Sequence, residues 1–254
     1  MEPSVVVKVF RLLETLGNAP SGSLLGETAE SVGMPKPTVH RLLKSMIELG
    51  YVAQADNGHY QLTSRLDLLR RSSLDRRLLT AADPILFALH KKTGENVNLG
   101  ILRSDRVMYL RVLESTHALR RIAEPNSTDP VHSTALGRSI AAYLEPALRD
   151  ALLRRTEPFV SRTPHTVTDI KKIREIFNRV RVDGYAAERN ETDLGVACYG
   201  APIFDNDRTV VAAVSLSVPS ARCDAERDLI EQVKGTAAKI SSKLCNPIGE
   251  KTWR

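Results

Sequence analysis

At 254 residues, with 42% hydrophobic and 26% charged positions, the chain has a globular composition that excludes a disordered or fibrous polymer and, at about 100–200 residues per domain, suggests two domains. Its formal net charge of +6 fits a polyanionic partner without requiring one. No apolar run approaches the ~18 residues of a membrane span, and the N-terminus lacks a signal-peptide layout. Cys198, Cys223 and Cys245 are odd in number and form no CxxC or zinc-finger spacing, so a reducing cytoplasm is the expected location, with no membrane partner.

In chain order, Val6, Val9, Phe10, Leu13 and Leu16 are spaced for a first helix. Ser23 is placed to cap a second, with Leu25, Thr28, Ala29 and Val32 on its apolar side and Gly33 as a left-handed stop. Met34 and Pro35 separate it from a third, within GMPKPTVHRLLKSMIELGYV (33–52). There Val39, Leu42, Leu43, Met46 and Ile47 make the apolar stripe. Lys36, Thr38, His40, Arg41, Lys44 and Ser45 fall off it. A residue before proline avoids the α region, so Lys36 is the expected cap and Pro37 the first helical residue. Two short helices with a tight glycine turn make a helix-turn-helix. YVAQ and HYQL then flank Asp56-Asn57-Gly58, a strong hairpin signal. The expectation is a winged helix-turn-helix over residues 1–63.

The plain reading of a lone basic helix is a solvated face. The wing favours DNA, because in this geometry the second helix of the motif enters the major groove. Lys36, Arg41 and Lys44 are then expected on phosphates or guanines, and Thr38 and His40 on base edges. Asn57 and His59 at the wing tip are placed for the minor groove or backbone.

A basic linker helix is expected over 64–80, capped by Thr63 or Ser64 and carrying Arg70, Arg71, Arg76 and Arg77. A dimer-pairing helix, a helix beside the DNA backbone and a solvated connector fit it equally. Asp83-Pro84 permits a fresh helix to Gly94. A second domain is expected over 81–246. ENVNLGILR and VMYLRVLE read as a hairpin around Ser104-Asp105, with a third strand near 118–123. PVHSTALGRSIAAYL opens helices that continue to about Asp183. Strands follow at 185–190, 196–204 and 209–218, and a last helix runs from near Asp224 to about Leu244. This order reads as an α+β domain on an antiparallel sheet.

These motifs together resemble the IclR family of transcriptional regulators over nearly the full length. GMPKPTVHRLLKSMIELGYV resembles the family's recognition-helix motif and PVHSTALGRSIAAYL its helix-start motif. GYAAERNETDLGVACYGAPIFD (184–205) resembles the family signature, and VVAAVSLSVPSAR (210–222) the strand that closes the sheet. The resemblance implies a GAF-like second domain that binds a small effector with Ala135, Leu136, Glu188, Cys198, Ser215 and Ser217. It implies a palindromic operator, bound by a homodimer or a dimer of dimers, and repression as the commoner mode. Two positions depart from the family pattern. Pro37 stands where serine or threonine is usual, removing a hydroxyl from the DNA face. Glu188 stands where aspartate or serine is usual, and its extra methylene is expected to shrink or reshape the pocket.

Residue chemistry gives a parallel argument. A helix beginning at His132–Thr134 leaves N–H groups that suit a carboxylate. Ser215 and Ser217 share one face of a strand. Hydroxyls there need partners, which a polar pocket or neighbouring backbone supplies equally well. Cys198 reads first as a small buried hydrophobe. A catalytic thiol would need an oriented base, and His132 has nothing to orient it. Cys198, His132 and the acids of 188–193 lack metal-ligand spacing. The expectation is therefore no catalysis, metal or cofactor, and a small organic acid as effector. The alternative is a small-acid enzyme or sensor whose first domain docks protein.

Overall fold

The computed structural model describes residues 4–19, 21–63, 65–117 and 123–245. The chain divides into two compact units, residues 1–74 and 75–254.

In the first unit, helices α1 (Val5–Gly17), α2 (Leu25–Val32) and α3 (Lys36–Glu48) precede a hairpin of β1 (Val52–Gln54) and β2 (Tyr60–Leu62). Its core joins Leu12 and Leu16 to Ala29, Val39, Leu43 and Tyr60. The α1 stripe is rotated from the expected one. Val9, Leu12, Leu13 and Leu16 face the core, while Val6 and Phe10 are exposed. Both sets satisfy helical spacing, and the second meets α2 and the hairpin.

Ser23 does not cap α2. Its N–H and C=O pair with Tyr60 at 3.1 and 2.9 Å, which ties the segment before α2 to the hairpin. Leu24 holds the cap position, and the Glu27 carboxylate accepts the Leu24 N–H at 2.9 Å. Gly33 ends α2 with φ +64°. The cap of α3 falls at Pro35 rather than Lys36. The Pro35 carbonyl accepts from Thr38 and Val39 at 2.9 and 3.1 Å, and Pro37 fits the first turn, where an N–H has no partner to meet. Ile47 is exposed rather than part of the core.

The chain passes from the first unit to the second within α4 (Arg65–Thr93). The break expected at Asp83-Pro84 is absent, and Pro84 lies inside this helix. Proline removes one hydrogen bond there, but Leu78, Ala82, Leu86 and Leu89 are buried on both sides of it, so packing carries the helix through. Of the expected cap residues, Ser64 lies outside the described residues, as do the side chains of Arg70 and Arg71.

The second unit is built on a six-stranded sheet with order β5-β4-β3-β8-β7-β6, every neighbour antiparallel. Its strands are β3 (Asn96–Arg103), β4 (Arg106–Leu113), β5 (Thr128–Pro130), β6 (Ala186–Arg189), β7 (Val196–Phe204) and β8 (Val210–Pro219). Residues 118–122, where a third strand was expected, lie outside the described residues; β5 follows them. A 3-10 turn (Ser220–Ala225) leads into α8 (Glu226–Cys245). One sheet face packs on α8 and on Leu78–Leu89 of α4 through Val214, Leu216 and Val218. The other packs on α5 (Ala135–Ala141) and α7 (Ile170–Asp183), with α6 (Pro146–Thr156) beyond, through Tyr109, Leu136, Ile140 and Phe177.

Candidate functional site

Strand register assembles the polar site of the second unit. Glu188 lies opposite Cys198, Cys198 opposite Ser217, and Ser217 opposite Asn96. One row along, Gly200 pairs with Ser215 and Ser215 with Asn98. Alternation turns these residues towards α5 and leaves Leu216 and Val218 for the apolar face. Small residues let α5 press onto the sheet. A Cβ on Gly200 would lie 2.8 Å from the Ala135 carbonyl oxygen, and one on Gly100 2.9 Å from a Leu136 methyl carbon.

Ala135, Leu136, Glu188, Cys198, Ser215 and Ser217 all line one small cavity, together with Tyr109, Thr134 and Thr192. Its volume is about 10 Å³, room for roughly one water. An open cleft of about 340 Å³, bordered by His165, Arg189, Tyr199 and Glu226, also reaches Glu188. The Asn98 amide donates to Ser217 and Ser215 at 3.2 and 3.4 Å, and the Cys198 thiol to Ser217 at 3.2 Å. One Glu188 oxygen accepts the N–H groups of Glu191 and Thr192 at 3.0 and 3.4 Å. The other, Oε1, is buried with no hydrogen-bond partner. Burial pushes the Glu188 carboxyl above its usual range, against the opposing pull of the Cys198 thiol, those two N–H groups and the Arg138 charge.

The helix at this site is α5, with Thr134 as its cap; its hydroxyl accepts the Gly137 N–H at 3.0 Å. His132 lies in the turn before it. Its Nε2 meets the Val160 carbonyl at 3.1 Å and its ring packs 5.0 Å from Phe159. Burial lowers its pKa. The Cys198 thiol donates to the Ser217 hydroxyl, and the His132 imidazole is held by the Val160 carbonyl instead. Among the described residues, no group of three or more His, Cys, Asp or Glu is placed to hold a metal ion.

Behind the cavity, Arg138 donates to both Glu191 oxygens at 2.8 and 2.6 Å, and to the carbonyls of His132 and Ala187 at 2.7 and 2.9 Å. Thr192 donates to the Ser133 carbonyl at 2.9 Å. The loop after β6 is therefore tied both to α5 and to the turn before it. Sequence reading missed Arg138, although an arginine among Ala, Leu, Gly and Ile in a motif that packs on a sheet demands a buried acid.

In the first unit, Lys36, His40, Arg41 and Lys44 are exposed on α3, and Thr38 is half-buried. Asn57 is exposed in the wing turn, where its side-chain oxygen accepts the His59 N–H at 3.2 Å and Gly58 takes φ +80°. His59 is half-buried, with Nδ1 lacking a partner. The expected DNA-facing residues thus occupy one helix and its hairpin.

Residues 5–56 match the IclR helix-turn-helix domain, and residues 72–242 match the C-terminal domain of the bacterial transcriptional regulator IclR. The chain belongs to the IclR family. It is a helix-turn-helix transcriptional regulator with a C-terminal effector-binding domain. It is 31% identical to the HTH-type transcriptional regulator KdgR of Escherichia coli, over 95% of this chain and 92% of that protein. It is likewise 31% identical to the DNA-binding transcriptional repressor YiaJ of the same organism, over 92% and 85% of the two chains. An IclR homolog of Microbacterium hydrocarbonoxydans, solved in complex with 4-hydroxybenzoate, matches with a TM-score of 0.63 at 25% identity, over 95% of this chain and 99% of that one. No described helix of this IclR-family chain is long and apolar enough to cross a membrane.

Proposed function

We propose that this regulator binds a palindromic operator as a dimer or a dimer of dimers, in the cytoplasm, and represses from it. Lys36, Arg41 and Lys44 contact phosphates or guanines, Thr38 and His40 read base edges, and Asn57 and His59 reach the minor groove or backbone. A small organic acid binds at Ala135, Leu136, Glu188, Cys198, Ser215 and Ser217 and changes operator affinity. Such a change requires the acid to bind the two arrangements of the regulator unequally. No turnover, metal or cofactor is part of this reading.

The observation that carries it is the convergence of all six of those residues on one buried cavity, in a chain whose other unit presents basic side chains on a helix-turn-helix. The cavity has room for about one water, so an acid enters as its wall moves. The bound 4-hydroxybenzoate of the Microbacterium homolog supports an acid of modest size. Footprinting on the DNA upstream of the chain's own gene tests the operator reading. A protected site with two-fold symmetry is expected, and uniform protection without sequence preference contradicts it.

A further inference from the structure

The cavity has an unusual electrical balance for an acid-binding site. Among its lining residues Glu188 is an acid, and no lysine, arginine or histidine is among them. A carboxylate entering beside an ionised Glu188 would meet a like charge in a poorly hydrated space, where two carboxylates cannot both stay ionised at low cost. Glu188 also has one oxygen to spare. Its Oε2 is occupied by the Glu191 and Thr192 N–H groups, while Oε1 is buried without a partner on a residue only 3% exposed.

We propose that Glu188 receives the effector as a carboxylic acid, with Oε1–H donating to the effector carboxylate, so that each acid molecule binds together with one proton. The proposal rests on the cavity being the effector site. The proton comes from solvent and stays between Glu188 and the effector; no covalent bond of the ligand changes. The ligand class follows: small monocarboxylates, with the Ser215 and Ser217 hydroxyls left for their remaining polar groups.

The surroundings of Glu188 agree with a proton held there. From β7 it faces the Cys198 thiol, and from β4 the cavity is lined by Tyr109, whose hydroxyl is donated to Asp129 at 2.7 Å. The Arg138 charge of α5 is spent on Glu191, with two bonds of 2.8 and 2.6 Å. His165 from the segment before α7, Arg189, Tyr199 and Glu226 lie on the cleft side. Burial raises the carboxyl, which reduces the work of protonating it when an acid arrives.

Calorimetric titration of the full chain with acetate, lactate, benzoate and 4-hydroxybenzoate, and with benzamide as a neutral control, tests this from about pH 5.5 to about pH 8.5. The expected result is an acid whose affinity falls towards tenfold per pH unit wherever free Glu188 is ionised. Titration in buffers of different ionisation heat should show uptake of close to one proton. In Glu188→Gln, whose amide cannot ionise, the slope should vanish; Glu188→Asp should keep it. An acid that binds with a flat pH profile in the wild type, an unchanged slope in Glu188→Gln, or benzamide binding as tightly as benzoate overturns the proton-coupled reading. In each of those cases, loss of binding in Ser215→Ala/Ser217→Ala would leave the cavity assignment standing. Acid binding indifferent to that double substitution, or no acid bound at any pH, overturns the effector site itself and the proposal with it.

Discussion

Arg138 and Glu191 hold each other through two hydrogen bonds, 2.8 and 2.6 Å long, with their side chains only 2% and 11% exposed. The pair joins α5 to the loop after β6, which carries Thr192 to the cavity and whose Glu191 and Thr192 N–H groups hold Glu188. Removing one partner leaves a buried charge uncompensated, which costs about 3–5 kcal/mol. Arg138→Met is therefore expected to lower the stability of the second unit by that amount in urea unfolding. Arg138→Met/Glu191→Leu should recover much of the loss, because both desolvation penalties disappear together. A single variant within about 0.5 kcal/mol of wild type would show that the pair is not holding the loop.

Gly200 is the floor on which α5 rests. A methyl group there would stand 2.8 Å from the Ala135 carbonyl oxygen, and backbone cannot yield as a flexible side chain can. Gly200→Ala is expected to cost about 1–3 kcal/mol and to weaken acid binding, by displacing Ala135 and Leu136 from the cavity wall. Denaturant unfolding and ligand titration of the one variant read both effects.

The raised Glu188 carboxyl also sets a pH dependence without any ligand. The folded chain holds this proton more tightly than the unfolded chain. Its contribution to stability is complete below the ordinary glutamate pKa of about 4.3 and is lost as pH rises through the raised folded value. Glu188→Gln should therefore be more stable relative to wild type at neutral pH than in acid. Thermal unfolding of both proteins at the two pH values checks the sign, and a gap that widens in acid would contradict it.

Much of this arrangement was legible in the residues. The α3 stripe from Val39 to Met46, the Asn57-Gly58 turn and the alternation of Ser215 and Ser217 each follow from a local pattern, and local patterns survive folding; only Ile47 of the expected stripe stays exposed. Misplacements arose where two patterns competed. Val6-Phe10 and Val9-Leu12-Leu13-Leu16 both suit a helix face, and only the neighbouring helix and hairpin select the second. Pro84 reads as a boundary by its own chemistry, yet buried leucines and alanines on either side keep α4 continuous. Ser23 has the chemistry of a cap, but its backbone is taken by Tyr60, far along the chain. The Arg138–Glu191 pair is a long-range contact between two motifs, and no spacing within either one announces it. The same holds for Tyr109 and Thr192, which strand order and the folded loop bring to the cavity.

On the DNA side, Lys44 is exposed on the polar face of α3. If it neutralises one phosphate, Lys44→Ala should weaken binding to all sequences alike and reduce the slope of log affinity against log salt by about one. Fluorescence anisotropy over a salt series gives that slope directly. An unchanged slope would remove Lys44 from the contact set.

The central claim is that one chain joins operator binding to acid binding, and a mobility-shift titration tests it most directly. The probe is the DNA upstream of the chain's own gene, with scrambled DNA as competitor and small carboxylic acids added in turn. The account predicts specific binding that one acid releases or tightens, and a Ser215→Ala/Ser217→Ala protein that still shifts the probe but no longer responds. No preference over scrambled DNA at moderate salt, or an acid response that survives the double substitution, would contradict it.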